Sequence, residues 1–447
     1  MIKLFMVLIL LIIPLISPLN AQEFVHSKHV VLISVDGLRP VFYLDRTWPA
    51  PMMQQMAREG THAKGVIGVL PTVTYPSHTS IVTGSYVGNH GIYYNTHFDT
   101  GKWYFEYDSI KVPTLWDIVN DADMITANVG WPVTLHAPLN YNVPISGALQ
   151  NSGLADDPIR KFTTPPGLFE ELEREATGRI RQSDLFNSNP SKESRVAEMV
   201  AYIMREYKPN FITVALQHTD SYQHRYGLDH PRVRRAVAAA DRAISRIVEA
   251  IEELGLLEET TIIITGDHGF TQNNAQVAPN VWLTEHGFRS RNLEDSQWKA
   301  TFKTSGGTAF LHLSNPNDVE TVKTVKKILE DLPYSVRKLF TIHEKEELDR
   351  LGANPGVHLV ISGIAGISMS GASDGDYIRY SSGAAHGHHP ELPEMHTGFV
   401  AWGKSVRSEV IVPIMHMVDI APLVARILGL RMFSADGVLI PGILEQD

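Results

Sequence analysis

Residues 29–35 read HVVLISV and run straight into Asp36-Gly37. A continuous apolar stretch of this length, closed by an Asp-Gly turn, is the signature of a strand buried on both faces of a parallel sheet. The same pattern recurs at 211–216, FITVAL, which leads to Asp220, and at 261–265, TIIIT, which leads into Asp267-His268-Gly269. In open α/β sheets, ligands bind beyond the carboxyl ends of the strands. Three buried strands therefore each deliver an acid or a histidine to that edge.

Helical periodicity separates the strands. It is clearest over Pro51–Glu59, Ser77–Thr83, Lys192–Tyr207, Arg232–Leu254, Asn317–Leu332 and Met417–Leu428. Further strands are expected at Lys64–Val69, Thr308–Leu313, Val357–Ile361 and Gly398–Trp402. Strands alternating with helices predict an α/β fold: a large, mostly parallel, doubly wound central sheet with helices on both faces. Residues 132–166 and 271–305 lack strong periodicity and are read as irregular insertions, candidate lids or plain surface elaboration.

A chain of 447 residues with 43% hydrophobic and 20% charged residues has the composition of a globular enzyme, not of a disordered chain. Its formal net charge of −10 gives no general attraction to polyanions, so long DNA or RNA is not an expected partner. With no cysteine the chain has no disulfides, which fits bacterial export better than a eukaryotic secretory route. Residues 1–21 read as a signal peptide: Lys3, an apolar run from Leu4 to Leu19, and cleavage after Ala21. Pro14 and Pro18 interrupt the run, which falls short of the roughly 20 residues of a spanning helix. The expectation is one catalytic domain over 22–447, periplasmic or secreted, without stable membrane insertion after cleavage.

Taken singly, Asp36, Asp220, His224, Asp267, His268 and His386 each have an ordinary reading as turn or solvated residues. Together they form a carboxylate and imidazole set. Asp220 and His224 are spaced to share one face of a helical turn. Such donors suit zinc or another divalent ion, and six of them exceed the need of one tetrahedral ion. Two ions about 4 Å apart, as in two-metal phosphoryl chemistry, fit the set better. A second element is LPTVTYPSH at 70–78, a loop entering a helix. A hydroxyl there lies near main-chain N–H groups that attract anions, or serves as a helix cap from Thr74 or Ser77. A threonine oxygen becomes a nucleophile at neutral pH only with help, which a divalent ion supplies.

VDGLR, PTVTYPSHTSIVTG, GNHGIYYN, DSYQH, GDHG and HGHHPELPEMHTGF occur in this order along the chain. Jointly they resemble the nucleotide pyrophosphatase/phosphodiesterase family of the alkaline phosphatase superfamily. The resemblance implies an alkaline-phosphatase-like fold and a metal-dependent hydrolase of phosphodiester or pyrophosphate bonds, working through a phosphothreonine. It implies that Asp36, Asp267 and His268 hold one ion with Thr74 as nucleophile on it. Asp220, His224 and His386 would hold the second, zinc being favoured for both. Asn95 would donate to a phosphoryl oxygen. His388, His389 and His396 rival His386 by sequence. Tyr75, beside the nucleophile, is a candidate for substrate contact or for ordinary wall packing. The sequence departs from the family at Val73, and at His388-His389-Pro390, where animal relatives carry an aromatic-Asp-Asn run, so animal substrate preferences transfer poorly. The expected substrate is a small phosphorylated molecule of the nucleotide kind. A phosphonoacetate, phosphomonoester or choline-phosphodiester hydrolase on the same scaffold is the next reading, ahead of a phosphomutase or a silent binding protein.

Overall fold

The computed structural model describes residues 26–145, 147–290 and 298–445. The leader at 1–21 lies outside the described residues. The central sheet is built on β1 (His29–Val35), β2 (Thr61–Ile67), β3 (Thr126–Val129), β4 (Tyr141–Val143), β5 (Phe211–Leu216) and β6 (Thr260–Thr265). β1 is flanked in parallel by β5 and β6, and β3 continues the parallel run from β5 to β4. On the other side Thr397–Gly403 pairs antiparallel with both β6 and β2, and β2 carries Val410–Val412 and Met415–His416 in parallel at the edge. This is the mostly parallel sheet of nine strands.

The period-2 geometry of a strand sends alternate residues of β1 to opposite faces. Val31, Ile33 and Val35 pack with helices Pro51–Glu59, Lys192–Tyr207 and Pro231–Glu253. Val30 and Leu32 pack with helices Thr74–Thr83, Leu115–Asp121 and Ile420–Ile427. Two hydrophobic layers explain why β1 has no polar alternation. Each such side chain contributes about 1.5–3 kcal/mol by leaving water.

Several expectations are corrected. Thr308–Leu313 and Leu359–Gly363 do not join the central sheet. With Phe340–Glu344 and Ala300–Ser305 they form a separate antiparallel sheet of four strands with its own apolar cluster. The helix expected from Ser77 begins at Thr74 instead, because a proline such as Pro76 is tolerated within a first helical turn. The C-terminal helix splits into a turn at Met417–Asp419 and a helix at Ile420–Ile427. The two stretches read as irregular carry short elements, among them β4 and Pro158–Phe162 in the first and Pro279–Glu285 in the second, too short to give periodicity. Among the described residues no helix is long and apolar enough to cross a membrane.

Ile33 is fully buried at the centre of the sheet. Ile33→Ala is expected to lower unfolding free energy by about 2–5 kcal/mol in a denaturant titration. A loss well under about 1 kcal/mol would remove β1 from its place as the core strand.

Candidate active site

The ends of β1, β5 and β6 are brought level by the sheet register. The Asp36 N–H donates to the Leu216 carbonyl at 2.8 Å, and the Thr219 hydroxyl donates to the Asp36 carbonyl. Asp267 accepts on Oδ1 from the N–H groups of Gly37 (2.9 Å) and His268 (3.1 Å), which turns Oδ2 toward Asp36 and His268. Gly37 is held at φ 71°, and a Cβ there would sit 2.5 Å from the Phe270 ring. Only glycine allows the chain to turn this sharply after β1.

Two sets of donors result. Asp36, Asp267 and His268 are all buried and present atoms within 4.8 Å of one another. His268 Nε2 lies 3.2 Å from Asp267 Oδ2 and 3.6 Å from Asp36 Oδ1. The second set is Asp220, His224 and His386. Asp220 and His224 stand one turn apart on helix His218–Tyr226. Asp220 Oδ1 lies 3.3 Å from His224 Nε2 and 3.7 Å from His386 Nε2, and the two Nε2 atoms are 3.1 Å apart. The sets abut through the rings of His268 and His386, stacked at 3.5 Å and 6°.

Each imidazole turns its other nitrogen to a main-chain carbonyl: His224 to Ala384 (3.0 Å), His386 to Thr72 (2.9 Å) and His268 to Gly269 (3.2 Å). Donation from Nδ1 fixes the tautomer and leaves the Nε2 lone pair facing the carboxylates. Asp36 Oδ1, Asp267 Oδ2, His268 Nε2 and Asp220 Oδ1 are buried without a hydrogen-bond partner. Four orphaned donors of this kind, aimed into two small foci, fit divalent cations.

The charges point the same way. Burial, then Asp267 and Asp220, push the Asp36 carboxyl well above its ordinary range. Burial alone would raise Asp220, but His224, then His386 and His268, hold it below the usual range. Burial draws His268 down to about 3, and burial with its two neighbouring histidines holds His386 well below its ordinary value. Asp220 in turn raises His224 against the effect of burial, so the site gathers acidic groups with two imidazoles held toward the neutral form and one toward the charged form. Lys192 eases Asp36 in part. It is fully buried, donates to Asn187 (2.6 Å) and Gln217 (2.7 Å), and is drawn by burial down to about 8. A lysine inside a helical pattern reads as a solvated residue, so the sequence gave no sign of it.

Thr74 opens helix Thr74–Thr83, and every other residue of that helix is buried. The N-cap is Val73, which offers no side-chain cap; neither Thr74 nor Ser77 fills that role. The His78 ring ties Thr74 to the first set, with Nδ1 2.8 Å from the Thr74 carbonyl and 3.6 Å from Asp267 Oδ2. Thr72 ties the loop to the second set through His386 and also donates to the His388 carbonyl at 2.9 Å. Asn95 Oδ1 accepts from the Tyr75 N–H at 2.9 Å, which fixes the side-chain amide beside the helix start.

The rival histidines separate. His388 is buried against the Ile367 carbonyl at 2.8 Å, His389 stacks on His343, and His396 packs beside Gly65. Only His386 of the four meets Asp220 and His224. Tyr75 is buried, packs with Ile92, Tyr104 and Val133, and stands behind Trp103 at 5.0 Å between ring centres. It does not line the large cavity of about 1100 Å³ next to the site. That cavity is walled by Trp103, Phe105, Phe186 and Lys102, reaches Ser221 beside Asp220, and takes Gly147 to Leu154 of the first insertion on one side. Trp103 and Phe105 were legible in principle: in an extended segment alternate residues share a side, and Tyr104 between them is buried.

The family model described as type I phosphodiesterase / nucleotide pyrophosphatase matches residues 30–358. Human ectonucleotide pyrophosphatase/phosphodiesterase family member 7 is 25% identical over 95% of this chain and 84% of its own length. Human bis(5'-adenosyl)-triphosphatase ENPP4 is 26% identical over 91% and 80%. The solved structure of human ectonucleotide pyrophosphatase/phosphodiesterase 5 superposes with a TM-score of 0.66 at 20% identity, over 92% of this chain and 97% of that one, and shares its alkaline-phosphatase-like fold. A murine counterpart was solved as an inactive threonine-to-alanine variant in complex with AMP. The chain belongs to the type I phosphodiesterase / nucleotide pyrophosphatase family.

Proposed function

We propose that this protein hydrolyses phosphodiester and pyrophosphate bonds of small nucleotide-type substrates, with two divalent cations and a covalent phosphothreonine at Thr74. The observation that carries the reading is the juxtaposition of two orphaned donor sets with a cavity large enough for a nucleotide and walled by aromatic rings. The names of the relatives, one a bis(5'-adenosyl)-triphosphatase and another solved with AMP, support the substrate class.

Asp36, Asp267 and His268 would hold one cation, and Asp220, His224 and His386 the other. Bound there, divalent cations lower the pKa of a coordinated hydroxyl and offset charge on phosphoryl oxygens; the Asp/His donors favour zinc. Thr74 Oγ attacks phosphorus as the bond to the leaving oxygen breaks, and the departing group takes the bonding pair. Asn95, oriented by the Tyr75 N–H, donates from Nδ2 to a non-bridging oxygen, where charge builds in the transition state. The N–H groups at the start of the Thr74 helix favour the same anion. Water then attacks phosphorus of the resulting threonine ester, which still carries the nucleoside; the nucleoside monophosphate is released and the Thr74 hydroxyl is restored. Two in-line displacements give net retention at phosphorus. Trp103, Phe105 and Phe186 offer stacking faces for a base, and Lys102 a cation for distal phosphate.

Thr74→Ala should lose turnover by at least about a thousandfold while metal content, measured by elemental analysis, stays at the wild-type level. Full activity in that variant would end the nucleophile assignment. Zinc-loaded protein should prefer p-nitrophenyl thymidine monophosphate over p-nitrophenyl phosphorylcholine, phosphonoacetate and p-nitrophenyl phosphate. Preference for any of the other three would keep the scaffold and move the substrate class. The leader at 1–21 makes this an exported enzyme, and sequencing of the mature protein should start at Gln22; a retained leader would contradict that.

A further inference from the structure

A second kind of orphaned cluster lies away from the strand ends. His343 is the last but one residue of strand Phe340–Glu344 of the small antiparallel sheet, and Glu347 stands four residues on, in helix Lys345–Arg350. His389 reaches them from the loop that carries His386. Donor atoms of the three lie within 4.8 Å of one another. Glu347 Oε1 is 3.0 Å from His343 Nδ1 and 3.4 Å from His389 Nε2. Tetrahedral zinc, with bonds of about 2.0–2.1 Å, sets its ligands about 3.3 Å apart. The two imidazoles stack at 4.5 Å and 16°.

Proximity alone would describe a hydrogen-bonded triad, but the hydrogen bonds are missing. The His343 side chain is only 7% exposed, and neither of its ring nitrogens has a hydrogen-bond partner. His389 Nε2 is orphaned as well. The His343–Glu347 pair therefore sits at contact distance without the alignment of a hydrogen bond, which leaves the buried imidazole unpartnered beside the carboxylate. His389 turns its ring Nε2 toward Glu347 and accepts at Nδ1 from the Glu391 N–H at 3.4 Å. Its main-chain N–H is anchored to Ser362 Oγ at 3.0 Å, on the neighbouring strand Leu359–Gly363. Glu347 also borders a cavity of about 410 Å³ together with Pro390, Glu391 and His416, which leaves room for a water as fourth ligand.

We propose that His343, Glu347 and His389 form a third divalent-cation site, of the zinc class, separate from the two strand-end sets. Two imidazoles and one carboxylate are donors that zinc accepts readily. Its place in the fold gives it a task. His389 lies three residues after His386, so a cation here clamps the loop of a strand-end ligand onto the small sheet. The site holds a structural ion, and it stands whether or not the protein is a phosphodiesterase.

The test is zinc content per chain after zinc loading and removal of free metal, compared among wild type, His343→Ala and Glu347→Ala. Wild type should retain one zinc more than either variant. Equal content in all three overturns the proposal. Glu347 is partly exposed, so Glu347→Ala keeps the comparison open if His343→Ala does not fold. Anomalous scattering at the zinc edge from wild-type crystals should show a peak bounded by these three side chains. Peaks at the strand-end sets without one here would also overturn it, and hydrolysis, assayed separately, reports on the strand-end sets alone.

Discussion

Three carboxyl groups, Asp36, Asp267 and Asp220, converge beyond the ends of β1, β6 and β5, the first two buried and the third partly so, and Asp267 and Asp220 act on Asp36 as like charges. Like charges in a low-dielectric site are costly unless a cation enters or a proton binds. The neighbouring histidines answer this only in part, because burial keeps His268 and His386 neutral. The chain accepts a destabilised cluster at the centre of its sheet, and the apolar layers on both faces hold it in place. Divalent cations bound there, as we propose, would offset it.

The rest of the architecture serves to keep these groups level and oriented. Parallel pairing of β1 with β5 and β6 sets three carboxylates at one height. Main-chain carbonyls fix each imidazole. The loop ahead of Thr74 is tied to one donor set through Thr72 and to the other through His78, so Thr74 is registered against both. The second stretch without periodicity, 271–305, contributes to the placing of the second donor set. Its strand Thr271–Gln272 pairs with Ala384–Ala385 and so presents His386. The first stretch supplies one wall of the cavity.

Much of this was legible in the sequence, for physical reasons. A strand buried on both faces must be apolar at every position, so HVVLISV and FITVAL announce their full length. A site at strand ends must place its acids directly after such runs, which made Asp36 and Asp267 conspicuous. What stayed hidden depends on contacts between distant segments. Apolar strands do not say which sheet they join, so the place of Thr308–Leu313 in the small antiparallel sheet has no local signal. Thr74 as the helix start was masked by Pro76, two residues on. Tyr75 stands next to Thr74 in sequence but turns into the core behind Trp103, because neighbours in a helix point in different directions. Lys192 and the pairing of His343 with His389 have no local signal.

The account stands most directly on the covalent step at Thr74. Turnover of a nucleotide diester quenched in acid on the millisecond scale, followed by peptide mass spectrometry, should find the nucleoside monophosphate esterified to the peptide spanning Thr74, with fragment ions assigning it to that side chain. The same group at Thr72 or another residue, or product formed with inversion at phosphorus and no nucleotidylated peptide, would contradict it.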